Sequence, residues 1–319
     1  MVNDANWLLP EGVEEILPDE ALKLEYLRRQ VIDDLTQRQF KLVMPPVMEF
    51  VDSLLTGTGE ELDTQTYKFM DQHTQRMLGI RADITPQVAR LDSHYLSDND
   101  VNRLCYAGTV LRTQPARMGE QRELLQIGAE LFGVEDVAGD IEIIDAMMAM
   151  LKIADVKDIT LSVGHVGLYR ALLSNQHIGG ELESRLRDVM LRKSRPDLEA
   201  LCSELNADLF KTLLSLEGST AVIETAQKEL GELPKVAESL AELERFVAHL
   251  ETMEGLNLHI DLADVAGYRY HTGLLFTAFV SGRGRSIAQG GRYDRIGEQF
   301  GRARAATGFS ADLKTLVKI

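Results

Sequence analysis

Cysteine is scarce in this 319-residue sequence, and its scarcity excludes one class of protein. The chain has two cysteines, Cys105 in a predicted strand and Cys202 in a predicted helix. Two thiols do not make the disulfide framework of a small secreted protein. They suit a reducing compartment, so we expect a cytoplasmic protein.

Basic residues are outnumbered by acidic ones. The 34 Lys and Arg residues against 50 Asp and Glu residues give a net charge of −16 and a pI near 4.9. Proteins that bind nucleic acid usually carry an excess of positive charge. The balance therefore argues against a tRNA partner, although an acidic total can conceal a local basic patch. An acidic surface also suits a protein partner.

Long apolar runs and a targeting signal are also missing. The longest apolar stretch, 141–154, is interrupted by Glu142, Asp145 and Lys152, so it is too short and too charged to span a bilayer. The first seven residues contain no basic region followed by an apolar one. We therefore expect no secretory signal and no membrane association.

Common catalytic and metal-binding motifs are not found. The sequence has no Gly-x-x-x-x-Gly-Lys-Ser/Thr phosphate loop and no Gly-x-Ser-x-Gly nucleophile elbow. The run Gly282-Arg283-Gly284 favours a hairpin turn over a dinucleotide site. The seven histidines show no paired ligand spacing, so we expect neither a metal ion nor a cofactor.

The length and pattern of the chain predict one large core with an insertion. With 45% apolar residues, 319 residues are ample for such a core. From about 175 to 255, Glu, Leu, Ala and Lys dominate at helical spacing, and strand-like alternation disappears. We predict core segments at 1–174 and 256–319 around an inserted helical subdomain at 175–255. The fold class is α+β, a mainly antiparallel sheet flanked by helices.

Local patterns place several elements. A helix after Pro18 is followed by an extended segment at 41–44 and by Pro45-Pro46. A hairpin is predicted around His73-Thr74. A helix should begin at Thr85-Pro86, with Thr85 as its N-cap. Strand patterns return at 258–262, 274–280 and 286–288, and a final helix follows Ser310.

The segment 105–133 carries the strongest functional signal. Alternating runs at 104–111 and 124–132 flank a polar loop, which predicts two antiparallel strands joined by an extended hairpin. Arg112, Gln126 and Glu130 fall on one face of these apolar strands. Such a face is costly unless its polar groups are paired or meet a polar ligand. The residues alone leave both a buried Arg–Glu pair and a ligand site open.

The spacing Arg112 … Gln126-x-x-x-Glu130 resembles motif 2 of the class II aminoacyl-tRNA synthetases, and the histidyl enzymes in particular. Four further segments resemble that family in the same order: 10–18, Arg81 to Thr85, 267–273, and Gly290-Gly291-Arg292-Tyr293-Asp294. The helix, strand and prolines of 19–48 resemble motif 1, where the family forms its homodimer. The resemblance covers roughly 8–165 and 257–316, and implies a class II synthetase-like core.

The resemblance also implies a site for free histidine. Its residues would be Asp83, Thr85, Arg112, Gln126, Glu130, Tyr270 and His271. A histidine ligand presents an ammonium, a carboxylate and an imidazole, each of which needs a complementary group. Asp83, Thr85 and Gln126 would hold the ammonium, Arg112 the carboxylate, and Glu130 the ring.

Two departures affect this site. The family has two consecutive tyrosines where this chain has Tyr270-His271, so either residue is a candidate for the ring-side contact. Asp83 replaces a glutamate, which shortens that arm by one methylene. Without the family, Asp83 would be interpreted as a charge that compensates a helix N-terminus.

The machinery for activating an amino acid with ATP departs further. Family members carry arginines where this chain has Ala266 and Thr315, and nucleotidyl transfer needs such cations. Asp312 would repel a triphosphate, and Gln114 replaces an acidic residue of motif 2. The chain ends where the anticodon-binding domain would begin. We expect amino-acid recognition to be kept, no catalytic residues, and no tRNA binding.

This pattern resembles the regulatory subunits of ATP phosphoribosyltransferase, which are synthetase-like proteins of bacterial histidine biosynthesis. The resemblance implies a hetero-octamer with the short-form catalytic subunit, in which the regulatory chain raises activity and conveys inhibition by histidine. Two alternatives are a trimmed ligase that still activates an amino acid, and a scaffold whose vestigial pocket binds nothing.

Overall fold

The computed structural model describes residues 8–56, 60–115, 120–205, 208–265, 267–268, 270–301 and 303–319. Its strands are β1 (Lys41–Leu42), β2 (Met48–Phe50), β3 (Tyr67–Met70), β4 (Met77–Ile80), β5 (Asn102–Leu111), β6 (Glu123–Phe132), β7 (Ile159–His165), β8 (Glu217–Gly218), β9 (Leu256–Asp261), β10 (Leu274–Val280), β11 (Ser286–Arg292) and β12 (Ala306–Asp312). Its α-helices are α1 (Pro18–Gln37), α2 (Val51–Leu54), α3 (Glu60–Gln65), α4 (Thr85–Tyr95), α5 (Val137–Ile153), α6 (Val166–Asn175), α7 (Gly180–Leu191), α8 (Arg195–Leu205), α9 (Asp208–Ser215), α10 (Ala221–Leu230), α11 (Pro234–Leu250) and α12 (Leu313–Leu316).

The main sheet has nine strands in the order β1-β5-β6-β12-β11-β10-β7-β9-β8. The pairs β1–β5 and β7–β9 are parallel, and the other pairs are antiparallel. Helices pack against this sheet, as α1 and α5 do against β5 and β6. The predicted α+β class with a mainly antiparallel sheet is confirmed.

Three strands form a second, smaller sheet in the order β2-β4-β3. The hairpin of β3 and β4 surrounds His73-Thr74, as the sequence predicts. The Asp71 carboxylate stabilises its turn, because it accepts hydrogen bonds from the backbone amides of His73 and Thr74 and from the Thr74 hydroxyl. This Asx-type arrangement is a common way to close a turn.

Helix α1 begins with proline in its first turn, where a missing N–H costs nothing. Its predicted apolar stripe is buried: Leu24, Leu27, Val31 and Leu35. Helix α4 differs from its prediction in one respect. Thr85 is its first helical residue, the N-cap is Ile84, and the cap makes no side-chain hydrogen bond.

The helices α7 to α11 lie within 175–255, where a helical insertion is predicted. They share one continuous apolar core with the main sheet, since buried leucines of α7 and α11 join buried residues of β6 and β10 in a single cluster. The short strand β8 also lies in this segment and pairs with β9. Packing thus joins the insertion firmly to the sheet, and its status as a separate subdomain stays a prediction.

Cys105 lies in β5 and pairs in register with Leu42 of β1. Its side chain is fully buried, and burial raises the pKa of the thiol to about 11. The predicted helix around Cys202 is present as α8. None of the helices in the described ranges is both long and apolar enough to cross a membrane.

Candidate functional site

The candidate site is built on the hairpin of β5 and β6. Gly108 pairs with Gln126, and Leu104 pairs with Glu130. On its other side, β6 pairs with β12, where Glu130 faces Gly308. Gln126 and Glu130 are four positions apart in β6, so they project to the same side of the sheet, as their even spacing predicts.

The Glu130 carboxylate is enclosed by hydroxyl groups. One oxygen accepts hydrogen bonds from the Thr85 hydroxyl at 2.9 Å and the Tyr106 hydroxyl at 3.0 Å, and the other accepts from the Tyr293 hydroxyl. The side chain is 1% exposed. Burial raises its pKa to about 8, while the three hydroxyl donors act in the opposite direction. We refer to Thr85, Tyr106 and Tyr293 as the hydroxyl cage.

Two glycines leave the space for this arrangement. A Cβ atom at Gly308 would lie 1.6 Å from a carboxylate oxygen of Glu130. A Cβ atom at Gly128 would lie 2.5 Å from the Tyr106 hydroxyl oxygen. Neither strand could carry a side chain at these positions with the cage in place.

Gln126 fixes the segment that enters α4. Its amide nitrogen donates to Asp83 at 2.7 Å, and its amide oxygen accepts from the backbone N–H of Ile84 at 2.9 Å. Asp83 also accepts from the backbone N–H of Thr85 at 3.2 Å. That last contact fits the helix N-terminus interpretation of Asp83, and the contact with Gln126 adds a partner across the sheet.

Arg112 follows β5 and lies beside the same segment. Its Nε donates a long hydrogen bond of 3.4 Å to the carbonyl of Ala82, next to Asp83. The described residues offer Arg112 no carboxylate within ion-pair distance, and the partners of Glu130 are hydroxyls. The buried Arg–Glu pair that the sequence left open is therefore not observed in the described ranges. The Arg112 guanidinium instead lies beside the segment that carries the Asp83 side chain, at one end of the site.

Tyr270 and His271 occupy different positions. The Tyr270 ring stacks on Tyr293, with centroids 5.0 Å apart, and its shielded hydroxyl has no partner among the described residues. The His271 ring packs edge-on against Tyr270 at 5.1 Å. Tyr270 thus adjoins Glu130 through Tyr293, whereas His271 contacts Tyr270.

His271 is wedged between two glycines. A Cβ atom at Gly267 would lie 2.5 Å from its Nδ1, and one at Gly291 would lie 2.9 Å from its Cδ2. Burial lowers the pKa of His271 to about 4, so the ring is neutral at physiological pH. In this structure His271 packs against Gly267, Gly291 and Tyr270.

The Asp312 carboxylate has a structural role. It accepts hydrogen bonds from the backbone N–H groups of Lys314 and Thr315 and from the Thr315 hydroxyl, which caps the N-terminus of α12. It also accepts from the backbone N–H of Leu125 at 3.0 Å. Gln114 lies exposed in the loop after β5, and Ala266 lies outside the described residues.

Two of the three cage residues, Tyr106 and Tyr293, were not among the site residues predicted from the sequence. Tyr106 shares a face with Gln126 in the alternation of the hairpin, which was a usable signal. Tyr293 belongs to the segment 290–294, but its contact with Glu130 spans 163 positions. The described residues contain no group of His, Cys, Asp or Glu side chains suited to a metal ion.

Comparisons with known proteins agree on the family. Residues 12–316 match the family model described as histidyl-tRNA synthetase. The chain is 47% identical over 320 residues to an ATP phosphoribosyltransferase regulatory subunit of Pseudomonas fluorescens (strain Pf0-1), covering 98% of this chain and 80% of that protein.

Solved structures agree on the fold. The crystal structure of an ATP phosphoribosyltransferase regulatory subunit/histidyl-tRNA synthetase from Bacillus halodurans superposes with a TM-score of 0.86 at 29% identity, covering 100% of this chain and 84% of that one. The ATP phosphoribosyl transferase (HisG:HisZ) complex from Thermotoga maritima contains a chain with a TM-score of 0.70 at 18% identity, with coverages of 92% and 97%. With a histidyl-tRNA synthetase fold and close relatives of one name, this chain belongs to the family of ATP phosphoribosyltransferase regulatory subunits.

Proposed function

We propose that this chain is a non-catalytic regulatory subunit. It would bind the short-form catalytic subunit of ATP phosphoribosyltransferase in the cytoplasm, raise its activity and convey feedback inhibition by histidine. The observation that carries the proposal is the group of polar side chains around Glu130 and Gln126, next to a segment whose carboxylate, Asp312, caps a helix. The relative from Pseudomonas fluorescens is itself named a regulatory subunit, and the Thermotoga maritima structure is named as a two-protein complex.

The pocket offers the three groups that histidine needs. Asp83 would take the ammonium, supported by Gln126 and Thr85. Arg112 has no ion pair within the described ranges, so its guanidinium is available to the ligand carboxylate. The arrangement supports an α-amino acid bound by its charged ends, in keeping with a sensor that does not consume its ligand.

Three hydroxyls already donate to Glu130, and an ionised carboxylate has about four acceptor positions. With a pKa of about 8, Glu130 is largely protonated at neutral pH. A ring N–H of bound histidine would favour the ionised form and take its remaining acceptor position. The unpartnered Tyr270 hydroxyl lies in the same part of the site and would gain a partner.

The segment around α12 supports the proposed loss of catalysis. Asp312 and Thr315 bond to each other, and no arginine stands at Thr315 to grip ATP. A ligase that activates an amino acid is the alternative, and pyrophosphate exchange into ATP separates the two. We expect no histidine-dependent exchange above a no-protein control. Exchange above that control would support the ligase instead.

We also propose a homodimeric core within a hetero-octamer, formed through residues 19–48. The outer side of this segment exposes apolar side chains: Leu22, Tyr26, Leu42, Met44, Val47 and Met48. Such a surface is typical of an interface, and a stable one should bury over about 1,000 Å². Analytical ultracentrifugation of the chain alone should give a dimer, and a monomer at about micromolar concentration would contradict this.

The histidine inhibition curve of the reconstituted complex tests the regulatory function. We expect Arg112→Ala and Glu130→Ala each to raise the half-inhibitory histidine concentration about tenfold to a hundredfold, because a charge-assisted hydrogen bond is lost. Glu130→Gln serves as a second variant that keeps the shape of the side chain. Lys193→Ala, in the insertion, should leave the curve unchanged.

Assembly is confirmed for each variant by co-purification with the catalytic subunit. Unchanged half-inhibition in both pocket variants, with assembly intact, would place the regulatory histidine site elsewhere, such as on the catalytic subunit. It would also support the scaffold alternative, in which this pocket binds nothing.

A further inference from the structure

We propose that Arg170 is a positioning residue that links the proposed histidine site to the helical insertion through Tyr268 and Glu183. We refer to these three residues as the tie. The proposal rests on the histidine site proposed above. It concerns the described residues between β9 and β10, which are 262–265, 267–268 and 270–273 and include Tyr270 of the proposed site.

The segment folds back on itself at Gly267. The backbone N–H groups of Tyr270 and His271 both donate to the Gly267 carbonyl, at 2.7 and 2.8 Å. Gly267 has φ of +68°, in the left-handed region that suits glycine. Just after the turn, the backbone N–H of Thr272 donates to the Arg292 carbonyl of β11 at 2.7 Å, which fixes that end of the segment to the sheet. The carbonyls of Tyr268 and His271, in the turn itself, are bound by a side chain.

Arg170 of α6 provides this side chain. One of its terminal nitrogens donates to the carbonyls of Tyr268 and of His271, the latter at 2.9 Å. Its guanidinium carbon also lies 4.4 Å from the centre of the Tyr268 ring. Burial lowers the pKa of Arg170, and the described residues give it no carboxylate partner. Arg170 is half-buried, and partial desolvation of a cation bound only by backbone carbonyls is costly; its contacts hold the turn.

The outer end of the tie lies in the insertion. The Tyr268 hydroxyl donates to a carboxylate oxygen of Glu183 in α7 at 2.6 Å. The Tyr268 ring meets Tyr169 edge-on at 5.1 Å, and Tyr169 in turn packs on Phe210 of α9 at 5.7 Å. One helix of the insertion, α7, therefore contacts Tyr268 directly, and a second, α9, contacts it only through Tyr169.

The inner end of the tie lies in the pocket. The carbonyl of His271 is held by Arg170, and the His271 ring packs on Tyr270. Tyr270 stacks on Tyr293, whose hydroxyl donates to Glu130. The contacts are thus continuous from α7 to the Glu130 carboxylate. Continuity alone does not establish energetic coupling, so the test measures coupling directly.

The test is calorimetric titration of histidine into the full-length chain, alone and in complex with its catalytic subunit. Arg170→Met should weaken histidine binding about tenfold, because the carbonyls of Tyr268 and His271 lose their hydrogen bonds to the guanidinium. Arg170→Lys keeps a donor and should recover part of the loss. Tyr268→Phe keeps the ring contacts and removes only the hydroxyl, so we expect a loss of about threefold.

A matched pair of variants isolates the insertion end. Glu183→Gln keeps an acceptor for Tyr268 and should bind histidine like the wild type, whereas Glu183→Ala should match Tyr268→Phe. Combining Glu183→Ala with Tyr268→Phe should add nothing further, since both remove one contact. Arg245→Ala breaks another ion pair between the insertion and the core, with Asp136, and should have no effect.

The outcomes separate the two proposals. If the wild type binds no histidine in either form, the proposed function fails and this inference fails with it. If the wild type binds histidine and both Arg170→Met and Tyr268→Phe bind equally well, only the inference is overturned. Should Arg170→Met fail to fold, Tyr268→Phe and the Glu183 variants decide the matter.

Discussion

Two carboxylates on neighbouring strands, Glu130 of β6 and Asp312 of β12, are built in opposite ways. The hydroxyls that bind Glu130 come from residues 45, 24 and 163 positions away in the chain. Most donors to Asp312 lie two or three positions away. The first carboxylate is organised by the whole fold and is fully buried, whereas the second obeys a local capping rule.

The difference matches the two roles proposed for these strands. Glu130 would contribute to histidine recognition, and Asp312 belongs to a segment that is proposed to have lost its role in catalysis. A buried carboxylate held by distant donors is costly to maintain, and such cost is typical of a functional site. A capping aspartate such as Asp312 stabilises the helix that it caps. Burial of Glu130 therefore lowers the stability of the folded chain, whereas Asp312 raises it.

The largest effect should come from filling the space beside Glu130. In Gly308→Ala the new Cβ atom would meet the Glu130 carboxylate and the carbonyl of Ala129. Overpacking of this kind should lower the free energy of unfolding by about 3 kcal/mol. Gly284→Ala, where a Cβ atom has open space, is the control in urea denaturation. Equal midpoints for the two variants would show that the cage is loosely packed.

An intermediate effect should appear in the pH dependence of stability. The pKa of Glu130 is about 8 in the folded chain, against an ordinary value of 4.5. The folded state thus binds the proton more tightly, so this contribution to stability is complete below about pH 4.5 and is lost as the pH rises to about 8. The unfolding free energy of the wild type relative to Glu130→Gln should fall across that window.

The same measurement on Tyr293→Phe sharpens the pH test. The Tyr293 hydroxyl is the first of the donors that lower the pKa of Glu130 in the folded chain, so its removal should move the upper end of the window to higher pH and leave the lower end, which the unfolded chain sets, in place. An unmoved window, with the variant folded, would mean that the Tyr293 hydroxyl does not contribute to the cage.

The smallest effect should come from the local carboxylate. Asp312→Ala removes the cap of α12 and should cost about 1 kcal/mol of unfolding free energy. Asp312→Asn keeps an acceptor and should recover most of that loss. If Asp312→Ala were as damaging as Gly308→Ala, the contrast between the two carboxylates would be wrong.

Local rules in the sequence predicted what depends on neighbouring residues. The buried stripe of α1 and the polar face of β5 and β6 follow from periodicity, and both are confirmed. Thr85 is a residue at which the local capping rule fails. Its position predicts an N-cap, in which the hydroxyl would accept from a backbone N–H, but Thr85 is already the first helical residue and its hydroxyl donates to the buried Glu130 carboxylate from across the sheet.

Four strands and one contact lay beyond such rules. β2, β7, β8 and β12 were not predicted. β2 and β8 are only three and two residues long, and β12 is rich in small residues and mostly buried, which weakens the alternation between faces. β11 also continues to Arg292, past the predicted end at 288. The contact of Tyr293 with Glu130 needs the sheet order, because it joins residues 163 positions apart.

The burial of Cys105 has a consequence for chemical labelling. Its side chain belongs to the same core cluster as the apolar stripe of α1, and burial holds the pKa of its thiol near 11. A thiol reagent reacts only with an exposed thiolate, so modification of Cys105 requires this part of the core to open. With Cys202 replaced by serine, the rate of alkylation would report how often the core opens there, and an associated second copy along residues 19–48 should slow it.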